Sequence, residues 1–147
     1  MYDEILVPTD GSPEAEAAIE HAVDIASKYD ARIHALYIVD ASAYATLDAT
    51  ETVIEDLEDE GEEAVATVEE AAAAAGVDAR TAVVNGNVHE LITAYARNND
   101  IDLIVMGTHG RRGIDRFLLG SVTERVIRTT DVPVLTVRSA GESEEED

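Results

Sequence analysis

Five short apolar segments punctuate the sequence, and between successive ones lies a stretch of helical period or a turn leading into one. The segments are "EILVPTDG" (4–11), "ARIHALYIVD" (31–40), "DARTAVVNG" (78–86), "DLIVMG" (102–107) and "VPVLTV" (132–137). They are apolar without a strict two-residue alternation, the pattern of strands buried on both faces, and the first four close on Gly or Asp. Strand and helix therefore alternate four times and a fifth strand ends the series. That order predicts an α/β domain: a three-layer, open, parallel five-stranded sheet with helices on both faces. Right-handed crossovers leave few topologies, chiefly the doubly wound ones; the expected strand order is 3-2-1-4-5, with the reversal between the first and fourth strands.

The helices carry their own punctuation. Ser12 followed by Pro13 predicts an N-cap and a first helical residue. Ala15, Ala18, Ile19, Ala22, Ile25 and Ala26 then form one face, with Glu14, Glu20, Asp24 and Lys28 turned away. Residues 41–50 lack a period and are expected to form a loop. A long helix is expected from Thr52 to Ala75, with Ile54, Leu57, Gly61, Ala64, Val65, Val68, Ala72 and Ala75 inward and nine acids outward. Thr52 with Glu55 fits a capping box, and Gly76 ends the helix. Asn87 with Glu90 caps a third helix that buries Leu91, Ile92 and Tyr95. Ser121 with Glu124 gives another capping box, for a last helix reaching Thr129. One domain over residues 1–139 is expected, followed by an acidic tail, 140–147, too poor in apolar residues to fold.

Charge narrows the function. The chain carries 32 carboxylates against nine Arg and one Lys, a formal net charge of −22. Such acidity argues against nucleic acid and anionic membranes as partners, since both demand positive charge. The near absence of lysine resembles the composition of proteins from a salt-loaded cytoplasm, where about 1 M salt shortens the screening length to about 3 Å. No Cys is present, which excludes disulfides, thiolate metal sites and Cys nucleophiles. No run approaches the roughly 20 apolar residues of a membrane span, and no basic-then-apolar leader opens the chain, so a cytoplasmic location is expected.

Against that background half of the ten cationic side chains, Arg111, Arg112, Arg116, Arg125 and Arg128, fall between Gly107 and Arg128, opposed there only by Asp115 and Glu124. The local balance is +3 (five minus two) and the remainder of the chain carries −25. In an open parallel sheet ligands bind beyond the carboxyl ends of strands, at the reversal point. Two loops meet there, "PTDGS" after the first strand and "GTHGRRG" after the fourth. Gly107 and Gly110 allow close approach, and Gly120 with Ser121 opens a helix whose free amides and dipole suit an anion. The same residues read equally as strand end, turn and cap.

Gly107, Gly110, Gly120 and Ser121 give G-x2-G-x9-G-[ST], which resembles the nucleotide-binding signature of ATP-binding universal stress proteins. "LIVMGTHG", "LLGSVTERVI", "VPVLTVR" and the opening "ILVPTDGSPEAEAAIEHA" are similar to that family's segments over residues 3–138. The resemblance implies a Rossmann-like fold of the adenine nucleotide alpha hydrolase type, and ATP, with Mg²⁺ brought by its phosphates, as ligand. It places Asp10 at the nucleoside with Pro8 and Thr9 lining the pocket, Ile38 beside adenine, and Met106 and Gly107 near ribose and phosphates. Gly110, Gly120, Ser121, Val122 and Thr123 become phosphate-binding positions, joined by Arg111, while His109 lies within the loop. It further implies a homodimer through the last strand, Val132 to Arg138, and a regulatory or stress-response module without catalytic residues. A slow ATPase or phosphotransferase and a nucleotide-free interaction module are the alternatives. Asp10 also suits a turn carboxylate. His21, His34 and His89 lack metal spacing and suit packing or surface roles. A phosphoacceptor receiver is excluded because Asp10 stands alone, Asn85-Gly86 follows the third strand and Lys28 lies in the first helix.

Overall fold

Local capping chemistry fixes where the helices start, and those starts place the loops at one edge of the sheet. In the structure, a computed structural model that describes residues 1–40, 51–109 and 119–138, β1 (Glu4–Pro8) leads into a turn closed by Ser12. The Ser12 hydroxyl accepts from Ala15 N at 3.2 Å, and Pro13 occupies the first turn of α1 (Pro13–Tyr29). Asp30, in the left-handed region at φ 55°, ends α1 by returning its N–H to the Ala26 carbonyl. β2 (Arg32–Val39) follows, then α2 (Glu51–Ala74), which is already helical at Glu51, one residue ahead of the expected start. After β3 (Ala79–Asn85), Asn87 caps α3 (Val88–Asn98) through Glu90 N, as expected.

β4 (Leu103–Gly107) and α4 (Ser121–Thr129) hold the one capping correction that matters for the site. The N-cap of α4 is Gly120, with no side-chain cap, and Ser121 is the first helical residue. The expected Ser121–Glu124 capping box is therefore not formed, and Glu124 pairs instead with Arg128 at 2.7 Å on the exposed face. β5 (Val134–Val137) ends the described fold. The 41–50 loop, Gly110, Arg111 and the acidic tail lie outside the described residues.

All strand pairs are parallel and the order is β3-β2-β1-β4-β5, the topology read from the sequence. On one face α1 and α2 cover Ile5, Val7, Ile33, Ala35, Tyr37, Leu103 and Val105. On the other, Ile92 and Ala96 of α3 and Val126 of α4 cover Leu6, Leu36, Ile104 and Met106. Burial on both faces explains why the central strands lack alternation. The β1–β2 ladder runs to Pro8↔Leu36, whereas the β1–β4 ladder holds Ile5↔Leu103 and Leu6↔Ile104 and stops short of Pro8 and Gly107. The β1–β4 ladder thus ends before the strands do, where the strand order reverses, the place at which a doubly wound sheet forms its crevice.

Candidate functional site

The turn after β1 builds one wall of the crevice. Thr9 N donates to the Leu36 carbonyl at 2.9 Å and Gly11 N to Thr9 Oγ1 at 3.2 Å. Asp10 Oδ1 accepts from Ser12 N at 2.9 Å, the turn bond that its position allows. Ile38 and Met106 belong to the α3/α4 face, and Pro8, two residues beyond Leu6, points to the same side. These three apolar side chains line the sheet's end on that face.

Backbone and hydroxyl bonds build the other wall by tying β4 to α4. Thr123 Oγ1 donates to the Gly107 carbonyl at 2.9 Å, and Gly120 N donates to the Thr108 carbonyl at 2.7 Å. Thr108 N in turn donates to the Val137 carbonyl at 3.1 Å. The two ends of the glycine signature are therefore bridged directly. Thr123 is buried with its hydroxyl committed to Gly107, Val122 is half-buried against the α3/α4-side core, and Ser121 is exposed at the helix start. The first amides of α4 carry the orphan donors and partial positive charge of a helix start. Gly107 has a packing reason of its own: a Cβ there would stand 2.9 Å from Glu14 Cβ and 3.2 Å from the His109 carbonyl oxygen. The space it leaves is filled by α1.

Glu14 is the residue that the helical pattern misassigned. Expected to face solvent, it is buried, 7% exposed, at the second position of α1. Its Oε2 accepts from His109 N at 2.6 Å and from Thr108 Oγ1 at 3.0 Å, and Oε1 lies 3.4 Å from His109 Nδ1. Burying a lone carboxylate costs several kcal/mol. Two charge-assisted bonds at roughly 1.5–3 kcal/mol each, with about 0.3–2 kcal/mol from the positive end of α1, are of the size needed to offset it. The available signal was an acid in the first turn of a helix that starts at the crevice, where a wheel drawn for the helix middle does not apply.

Of the expected site residues, Pro8, Thr9, Asp10, Ile38, Met106, Gly107, His109, Gly120, Ser121, Val122 and Thr123 all lie at the carboxyl edge of β1, β2 and β4 or at the start of α4. His109 is buried, with Nδ1 3.1 Å from Thr108 Oγ1. Arg128 makes the surface ion pair with Glu124, while His21 is exposed. His34 is buried at the opposite end of the sheet. Among the described residues no group of three or more His, Asp or Glu is arranged to hold a metal ion. Nor is any helix among them long and apolar enough to cross a membrane.

Comparison with known proteins finds relatives over nearly the whole chain. The sequence model of the Universal stress protein family matches residues 1–138. Universal stress protein MJ0531 of Methanocaldococcus jannaschii is 42% identical over 141 residues, covering 94% of this chain and 83% of that protein. The solved structure of hypothetical protein MJ0577 superposes with a TM-score of 0.84 at 31% identity, over 94% of this chain and 96% of that one. A universal stress protein solved in complex with cAMP superposes with a TM-score of 0.69 at 26% identity, over 95% of this chain and 98% of that one.

Proposed function

The chain belongs to the universal stress protein family, and from that premise we propose that it binds ATP in the β1/β4 crevice and acts as a homodimeric, non-catalytic regulatory or stress-response module of the cytoplasm. The observation that carries the reading is the pairing of β4 with α4: the Gly120–Thr108 and Thr123–Gly107 bonds hold a helix start beside the mouth of the crevice. A phosphate group suits the α4 amides and the Ser121 hydroxyl, where the helix dipole favours an anion. Pro8, Ile38 and Met106 offer apolar surface to a base, and Asp10 offers a carboxylate oxygen to a ribose hydroxyl. The cAMP complex of a relative supports an adenine nucleotide as the ligand class. Mg²⁺ fits this scheme as a passenger on the phosphates.

The dimer is proposed through Val132 to Arg138. β5 is an edge strand with Leu135 36% exposed, and a second copy meeting it across a twofold axis would cover that edge. The domain is proposed to span residues 1–139 with the acidic tail outside it.

Nucleotide extracted from the purified protein and identified chromatographically tests the ligand, and its diphosphate fraction reports any hydrolysis. Gly120→Val is expected to abolish ATP binding in calorimetry while the circular dichroism spectrum is retained. Equal ATP binding by this variant and the natural chain would remove the phosphate assignment.

A further inference from the structure

Glu14 stands outside the glycine signature, yet it holds that signature's first turn. Its carboxylate is buried between α1 and the β4 exit and accepts the His109 amide and the Thr108 hydroxyl on one oxygen. The same turn is held from the opposite side by α4, through Gly120 N on the Thr108 carbonyl and Thr123 Oγ1 on the Gly107 carbonyl. Residues 107–109 are therefore clamped between two helices, one contributing a carboxylate and the other an amide and a hydroxyl. The close approach of α1 is built in, since Gly107 leaves room for Glu14 Cβ that any larger residue would take.

We propose that Glu14 is a positioning residue for the nucleotide site: it fixes the peptide at Thr108–His109 and so sets where the phosphate-binding turn leaves β4 relative to the start of α4. The role rests on the ATP-binding reading above and acts through hydrogen-bond acceptance, not through contact with the ligand. With Glu14 in place, the His109 amide is turned inward to the carboxylate, and an anion is directed to the α4 amides. Without an acceptor, the His109 amide and Thr108 hydroxyl lose their buried partner, and the turn is free to rotate away from α4.

The test compares the full-length natural chain with Glu14→Gln, Glu14→Ala and Thr108→Val, using ATP as the probe in calorimetry and the His109 amide resonance as a ligand-free readout. Gln keeps an oxygen where Oε2 lies, so Glu14→Gln is expected to bind ATP within about threefold of the natural chain. Glu14→Ala is expected to lose tenfold or more, about the effect of one charge-assisted bond. The His109 amide proton should sit far downfield in the natural chain and in Glu14→Gln, and move upfield in Glu14→Ala. Thr108→Val, which removes one donor and keeps the carboxylate, is expected to lose about threefold and serves if Glu14→Ala does not fold. Unchanged ATP binding in Glu14→Ala, or in Thr108→Val if that variant stands in, overturns the positioning role alone. So does equal loss in the Gln and Ala variants, or tighter binding in both. Failure of the natural chain to bind ATP overturns the reading of the site and this role with it.

Discussion

His34 is 2% exposed near the amino end of β2, and both ring nitrogens are engaged: Nε2 lies 2.6 Å from Glu4 Oε1 and Nδ1 lies 2.7 Å from the Tyr95 hydroxyl. A neutral ring satisfies all three groups, with Nε2–H donating to the carboxylate and Nδ1 accepting from the phenol. Burial pushes the Tyr95 phenol above its ordinary pKa; Arg80 pulls it back and Glu4 adds to the rise. Because the raised pKa belongs to the folded state, its stabilising effect is complete below about pH 10 and is lost as pH climbs through the native value. Tyr95→Phe should cost about 1 kcal/mol near neutrality, by leaving Nδ1 without its donor. In urea unfolding followed from pH 8 to 11.5, the gap between the two proteins should narrow above pH 10; a constant gap would contradict the role given to the phenol. Neither this trio nor the Glu14 clamp was legible in the sequence. Their partners lie from 30 to 95 positions apart, and no local period connects them.

At the scale of elements, Gly61 shows why a residue's local preference is a poor guide to its effect. Alanine in place of a mid-helix glycine ordinarily gains up to about 1 kcal/mol. Here the added Cβ would stand 2.6 Å from Tyr37 Cδ1, and Tyr37 is buried. Overpacking of that kind costs about 1–3 kcal/mol and outweighs the propensity gain. Gly61→Ala is therefore expected to lower the melting temperature by about 2–4 °C per kcal/mol of net loss, and a rise would show that α2 shifts at no cost. The strands and the caps at Ser12 and Asn87 were readable because their signals are local. The start of α4 was not. The S-x-x-E pattern at Ser121 satisfied the capping rule, but the Gly120 amide is drawn to the Thr108 carbonyl, and the helix begins on the glycine's far side.

For the molecule as a whole, a net charge of −22 sets repulsion against a few exposed ion pairs. Lys28–Asp24 and Arg128–Glu124 are both exposed i,i+4 pairs, worth about 0.3–0.5 kcal/mol each. Salt weakens them, but it weakens the repulsion among the acids of α2 and α1 far more. Screening shortens from about 8 Å at 0.15 M to about 3 Å at 1 M. The melting temperature should rise between 0.1 and 2 M KCl, and a flat or falling profile would contradict the reading of this acidic, lysine-poor composition as suited to high salt. The strand order was legible at this scale because alternation and crossover handedness leave few solutions. The direction in which each side wall of the crevice is braced was not, since it depends on which helix end meets which turn. The Gly120–Thr108 bond closes the polypeptide on itself at the end of β4. With Thr108 also held by the Val137 carbonyl, the start of α4, the exit of β4 and the edge strand β5 form one mechanical unit. A disturbance at the outer edge of the sheet is therefore passed to the helix start through three residues rather than through the core.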